Sequence, residues 1–200
     1  MKFILLTHPK EQANETTLLN TFFEEGLETL HLHKPDYVVA QLQEYLNKID
    51  TRWHPKIVLH AYPPNLDTHH PLNEITANLK GIHLPERVRM EAMPLPDKFK
   101  AVSTSFHYLK DLLACEGEYE YLFISPIFNS ISKQGYQAAF ELNDLADAMS
   151  RSKYPVIGMG GIAADKMQTV RDLDFAGVGI LGGVWQADSP LETLKKLLAS

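Results

Sequence analysis

One cysteine in 200 residues rules out an internal disulfide and a cysteine-rich zinc site. That residue, Cys115, closes an expected helix end, where a small buried hydrophobe is expected rather than a nucleophile. Long apolar runs are missing too, and none approaches the ~20 residues of a membrane span. The opening MKFILLT stretch is too short for a signal peptide core and is followed at once by Pro9 and Glu11. The expectation is a cytoplasmic protein without a membrane partner. Positive charge is in deficit, with 19 Lys and Arg against 25 Asp and Glu and a net charge of −6. A nucleic acid, which demands a basic surface, is therefore not an expected partner. Small anions are not excluded, because a few backbone amides bind a phosphate whatever the net charge. Low-complexity tracts, linkers and charge runs are absent as well, so residues 1–200 read as one domain. With 44% hydrophobic and 22% charged residues, the composition is that of an ordinary globular chain with one substantial core.

What is present is alternation. Short apolar runs at 3–7, 29–33, 56–60, 81–84, 101–104, 121–125, 156–159 and 177–181 read as strands buried on both faces, as in a parallel sheet. Helical patterns lie between them. Leu18, Leu19, Phe22 and Phe23 form one apolar stripe, with Asn14 as N-cap and Gly26 as stop. Asp36 is expected to cap a helix carrying Val38, Val39, Leu42, Tyr45 and Leu46. Phe140, Leu142, Leu145, Ala146 and Met149 make another stripe. Ser189, Pro190 and Glu192 read as a capping box with proline at the first helical position. The segment 85–98, with three prolines and no clean period, predicts a short or missing helix after the fourth strand. Strands alternating with helices fit an α/β fold, and a compact (β/α)8 barrel is preferred. No G-x-G-x-x-G follows the first strand, which argues against a Rossmann sheet.

Three segments carry possible chemistry. VIGMGGI over 156–162 is a strand ending in the pair Gly160 and Gly161. GVGILGGV over 177–184 repeats the arrangement one strand later with Gly182 and Gly183. Glycines alone make tight turns, but two pairs on consecutive late strands point to a phosphate cradle of backbone N–H groups. The third segment, YLFISPIFNSISKQG over 121–135, runs from a strand into a loop bearing Ser130, Ser132 and Lys133. Hydroxyls and an ammonium on one loop suit a phosphate or diphosphate, with a plain solvent loop as the competing reading.

These segments, in this order, resemble the thiamine phosphate synthase/TenI family. The matching stretches are 125–135, 155–162 and 176–184, with further similarity in GIHL over 81–84 and VSTSFH over 102–107. The similarity is strong in the C-terminal half and weak over the first 80 residues. It implies a (β/α)8 fold and a thiazole phosphate ligand held by Gly161, Gly182 and Gly183, with Ser130, Ser132 and Lys133 facing it. The family's synthases join a pyrimidine diphosphate to the thiazole and use Mg²⁺. Their pattern of Gln and Arg on the second strand, an aspartate after the third and an acidic segment after the fourth is replaced here. The chain has His31 and His33, then His60 and Ala61, then Leu84, Pro85 and Glu86. A hard Mg²⁺ would find few oxygen ligands.

The TenI branch, a thiazole tautomerase that needs no metal, is the better match. Its catalytic histidine corresponds to His107, a general acid/base suited to moving a proton on a heteroaromatic ring, with Lys133 as a further catalytic contact. His31 and His33 lie two apart and so share one face of their strand. If that face is the barrel interior, His31, His33 and His60 contain the makings of a three-nitrogen zinc site. A hydrogen-bonding or substrate-facing role is the preferred expectation for them, and plain core packing for His83. The expected partners are a thiazole phosphate and, in the synthase reading, a pyrimidine diphosphate; a homodimer is left open.

Overall fold

A computed structural model of the chain describes residues 1–62, 77–91, 101–129 and 138–199. Eight parallel strands close into a barrel in sequence order, β1 to β8. They are β1 Lys2–Leu6, β2 Thr29–Leu32, β3 Ile57–His60, β4 Gly81–Leu84, β5 Ala101–Phe106, β6 Tyr121–Ile124, β7 Val156–Met159 and β8 Gly177–Ile180. β1 pairs with β8 in register from Lys2 against Gly177 to Leu5 against Ile180, which removes any free edge. Each expected strand is present, with ends shifted by at most two residues.

The period-two alternation of strands sorts the side chains into two cores. Leu30, Leu32, Ile57, Leu59, Ile82, Leu84, Leu122 and Ile124 point outward and pack with helix residues such as Leu19, Phe22, Leu42 and Leu145. A second, smaller cluster of Ile4, Tyr121, Phe123 and Ile157 fills the barrel interior, with Met159 against it. Interiors of such barrels are usually packed with branched aliphatic residues. Here the buried polar residues His31, His60, His83 and Ser103 share that space.

The helices follow the expected stripes, but their starts differ from the sequence expectation. Glu15–Glu24 begins after Asn14, which sits at φ 57° and makes no side-chain cap. The buried Glu15 instead ties down the preceding loop, accepting the backbone N–H of His8 at 3.2 Å and that of Gln12 at 3.4 Å. Gly26 ends this region at φ 105°, a conformation open to glycine. Val39–Leu46 is capped at Val38 rather than Asp36, because Gln41 Oε1 reaches back to the Val38 N–H at 3.1 Å. Pro190–Leu198 does start with proline after Ser189, yet the Ser189 side chain makes no capping bond, so the expected capping box does not form. After β4 the helix Glu86–Met90 is five residues long, short as the proline content predicts. No helix among the described residues is long and apolar enough to cross a membrane. Cys115 is buried, and burial pushes its thiol pKa up.

Candidate functional site

A cavity of about 270 Å³ opens at the C-terminal ends of the strands, the end at which barrels of this kind place their chemistry. One side is made of backbone. Gly160 and Gly161 after β7, and Gly182 and Gly183 after β8, all line it. Gly160 and Gly161 adopt φ of 97° and 66°, a region that side chains rarely occupy. A Cβ on Gly161 would strike the carbonyl oxygen of Asn129 and the backbone of Phe128, and one on Gly160 would meet Pro126 Cβ at 2.8 Å. Both glycines are thus required for the β7 turn to pack against the turn after β6. Gly160 and Gly161 line the cavity as well, and the tight-turn reading alone accounts for both residues.

The opposite side is made of side chains. His33, His60, His83 and Tyr62 line it, with Ser105, Ser125 and Phe123 between. The Tyr62 hydroxyl is 2.6 Å from His33 Nδ1. Beneath, His31 Nδ1 lies 3.0 Å from His60 Nε2, and His31 Nε2 lies 2.7 Å from the Tyr121 hydroxyl. His83 Nδ1 is 2.8 Å from Ser103 Oγ. The His60 and His83 rings sit with centroids 4.2 Å apart, directly opposite each other in the β3–β4 register. Burial, which penalises the charged form, holds the pKa values of His31, His60 and His83 well below the ordinary histidine range, and neighbouring histidines add to the effect. Burial also raises Tyr62 and Tyr121. His31, His60 and His83 are therefore neutral imidazoles, and Tyr62 and Tyr121 neutral phenols, at physiological pH.

His31 and His33 do face the barrel interior, and His60 joins them. His83, expected as plain core, is a fourth member that lines the cavity, because register sets it beside His60. His107 follows the end of β5, is exposed, and places Nδ1 2.6 Å from Glu86 Oε2. It is not among the residues lining the cavity. It is tied to the rim through Ser105, a lining residue whose Oγ accepts the Glu86 backbone N–H at 3.2 Å. Ser130, Ser132 and Lys133 lie outside the described residues. Tyr62, Ser103, Ser105 and Tyr121 were not singled out from the sequence. Strand parity was the available signal, since Ser103 and Ser105 share a face, as do His60 and Tyr62.

The described lining offers no hard oxygen ligand set for magnesium. Among the described residues lining the cavity there is no Asp, Glu, Lys or Arg. The nearby Glu86 carboxylate already contacts His107, and its other oxygen lies 3.7 Å from Arg89. A diphosphate–Mg²⁺ pair needs hard oxygen ligands and compensating charge, and neutral imidazoles supply neither.

Comparison with known proteins adds a family. Residues 72–184 match the family model described as thiamine monophosphate synthase. The thiamine-phosphate synthase of Limosilactobacillus fermentum is 33% identical over 79 residues, which is 40% of this chain and 37% of that protein. The thiamine-phosphate synthase of Clostridium acetobutylicum is 27% identical over 116 residues, 56% of this chain and 54% of that protein. The chain thus matches about half or less of the length of these relatives. A solved thiamine phosphate pyrophosphorylase from Bacteroides thetaiotaomicron superposes with a TM-score of 0.77 at 28% identity, over 99% of this chain and 96% of that one.

Proposed function

Because this chain belongs to the thiamine monophosphate synthase family, we propose that its cavity holds a thiazole monophosphate and that the protein relocates a proton on the ring, as a tautomerase of the TenI type. The observation that carries this reading is the division of the cavity. Glycine backbone on one side suits one phosphate, and neutral imidazole and phenol on the other suit an uncharged heteroaromatic ring.

His107 is the proposed acid/base. Its Nδ1 contact with Glu86 Oε2 orders the ring. With the Nδ1 proton donated to that carboxylate, the Nε2 lone pair is left to take a proton from the ring and return it elsewhere. Lys133, with Ser130 and Ser132, is retained as a proposed ligand contact. No step needs Mg²⁺. The relatives' names favour a second reading, transfer of a pyrimidine diphosphate onto the thiazole phosphate. The replaced diphosphate and magnesium positions weigh against it.

The test is to incubate the full chain with a thiazole carboxylate phosphate in deuterated buffer and follow ring exchange by NMR. Exchange without added Mg²⁺, reduced ~100-fold or more in His107→Gln, is the expected result. Absence of exchange, together with Mg²⁺-dependent condensation with a pyrimidine diphosphate, would decide for the synthase. Binding of the thiazole phosphate with neither reaction would make the protein a carrier or sensor.

A further inference from the structure

The buried histidines are more than the acid/base reading uses. We infer that His31, His60 and His83 form a three-imidazole site for a borderline transition-metal dication of the zinc class, set in the floor of the cavity with its fourth position open to the ligand. The inference is independent of the tautomerase proposal.

Distances come first. One ring nitrogen from each of the three residues lies within 4.8 Å of the other two. Tetrahedral zinc bonds of about 2.0–2.1 Å place ligand nitrogens roughly 3.3 Å apart. His31 Nδ1 and His60 Nε2 are already 3.0 Å apart, so closure requires a shift of about 1.5 Å or less at His83. A cation seated there takes the place of the proton now shared by His31 and His60, and that proton moves to the other nitrogen of its own ring.

The surrounding contacts are those of a supported metal site. Ligating histidines are held by a hydrogen bond at the other ring nitrogen. The Tyr121 hydroxyl occupies Nε2 of His31 and the Ser103 hydroxyl occupies Nδ1 of His83. The opposite nitrogens are Nε2 of His83 and Nδ1 of His31, the latter released for the cation when it displaces the bond to His60. Three strands supply the three ligands, which gives rigid placement: β2 for His31, β3 for His60 and β4 for His83. An entry path exists, since His60 and His83 both line the cavity while His31 lies fully buried below.

The donor set selects the metal. Nitrogen ligands without a carboxylate favour zinc, copper, nickel or cobalt over magnesium or calcium. Three protein ligands leave one position for water, hydroxide or an anionic group of the bound molecule, the arrangement of reactive rather than structural zinc sites. The buried Lys34–Glu15 pair, at 2.6 Å, offers no comparable site, because Lys34 also donates to the His8 carbonyl and its charge is matched within the pair.

The test uses the purified full chain, stripped of metal by chelation and dialysis and titrated with Co²⁺ alone. One equivalent bound, with the intense visible bands of four-coordinate cobalt and displacement by Zn²⁺, is expected. His60→Gln and His83→Gln should each weaken binding at least tenfold, whereas His8→Gln, at a half-buried position outside the cluster, should leave it unchanged. Ser103→Ala should weaken it ~10–100-fold through the supporting hydrogen bond. Circular dichroism and thermal melting verify folding. If the histidine variants do not fold, the cobalt spectrum of the wild type and the Ser103→Ala titration decide. Substoichiometric binding, a weak six-coordinate spectrum, or affinity indifferent to both His83→Gln and Ser103→Ala would overturn the inference. None of these readouts involves the thiazole phosphate, so this inference and the proposed function fail separately.

Discussion

The two sides of the cavity are built from different material and follow different rules. On the β7–β8 side the chain exposes backbone, and glycine is dictated by φ values of 97° and 66° and by the turn after β6 pressed against it. On the β2–β4 side it exposes side chains, whose identity the backbone does not dictate. The family match reflects this division. It spans 72–184, which includes all four cradle glycines and His83 but excludes His31, His33 and His60. The lesson is that a wall made of main chain constrains residue type through backbone geometry, while a wall made of side chains does not. In this chain that wall carries His33, His60 and His83.

Acid should break the imidazole side most. His31, His60 and His83 have folded-state pKa values below the unfolded value of about 6.5. The unfolded chain therefore binds more protons as pH falls, and the stability of the metal-free protein is full above about pH 6.5 and is lost below it. The three imidazoles together should make the protein clearly less stable at pH 5.5 than at pH 7.5. Urea unfolding at pH 7.5 and 5.5 measures this. A flat profile would mean that the rings are not held neutral.

Gly161→Val attacks the other side. The positive φ and the collision with Asn129 and Phe128 together predict a loss of about 3 kcal/mol in stability. Binding of any phosphorylated ligand, inorganic phosphate included, should be lost with it. Binding is read by calorimetry and stability by thermal melting. A variant that retains phosphate affinity would remove the cradle from the account.

His33→Phe sharpens the contrast. It deletes the partner of the Tyr62 hydroxyl at the cavity wall and should weaken a thiazole phosphate ~10-fold, with inorganic phosphate affinity unchanged. Equal losses for both ligands would erase the proposed division of labour. Glu86→Gln lies outside the cavity and should have the smallest effect on binding. It should lower the exchange rate of the proposed reaction roughly 10-fold while leaving the KM unchanged, as expected for a residue that positions His107.

Much of the barrel was legible in the sequence, because strands buried on both faces appear as short apolar runs. The pair Gly160 and Gly161 was legible as well, since few residue types fit φ of 97° and 66°. Parity alone placed His31 and His33 inside. What parity cannot supply is register between strands. That His83, rather than His33, completes the tight group depends on His60 and His83 lying opposite each other, a relation no single strand records. The helix caps failed for a related reason. Asp36 and Ser189 have the right chemistry, but the first turns were set by Gln41 and by Pro190. His107 illustrates the limit of motif matching, which located the residue at the barrel mouth but not its Glu86 partner.

The central claim is that the glycine side holds a single phosphate and that the facing wall takes a neutral ring without magnesium. Calorimetric titration with thiazole phosphate, with and without Mg²⁺ and a non-hydrolysable pyrimidine diphosphate, tests it most directly. The account predicts one-to-one binding of the thiazole phosphate that neither addition changes. Binding of the pyrimidine diphosphate that appears only with Mg²⁺ would contradict it and restore the transferase reading.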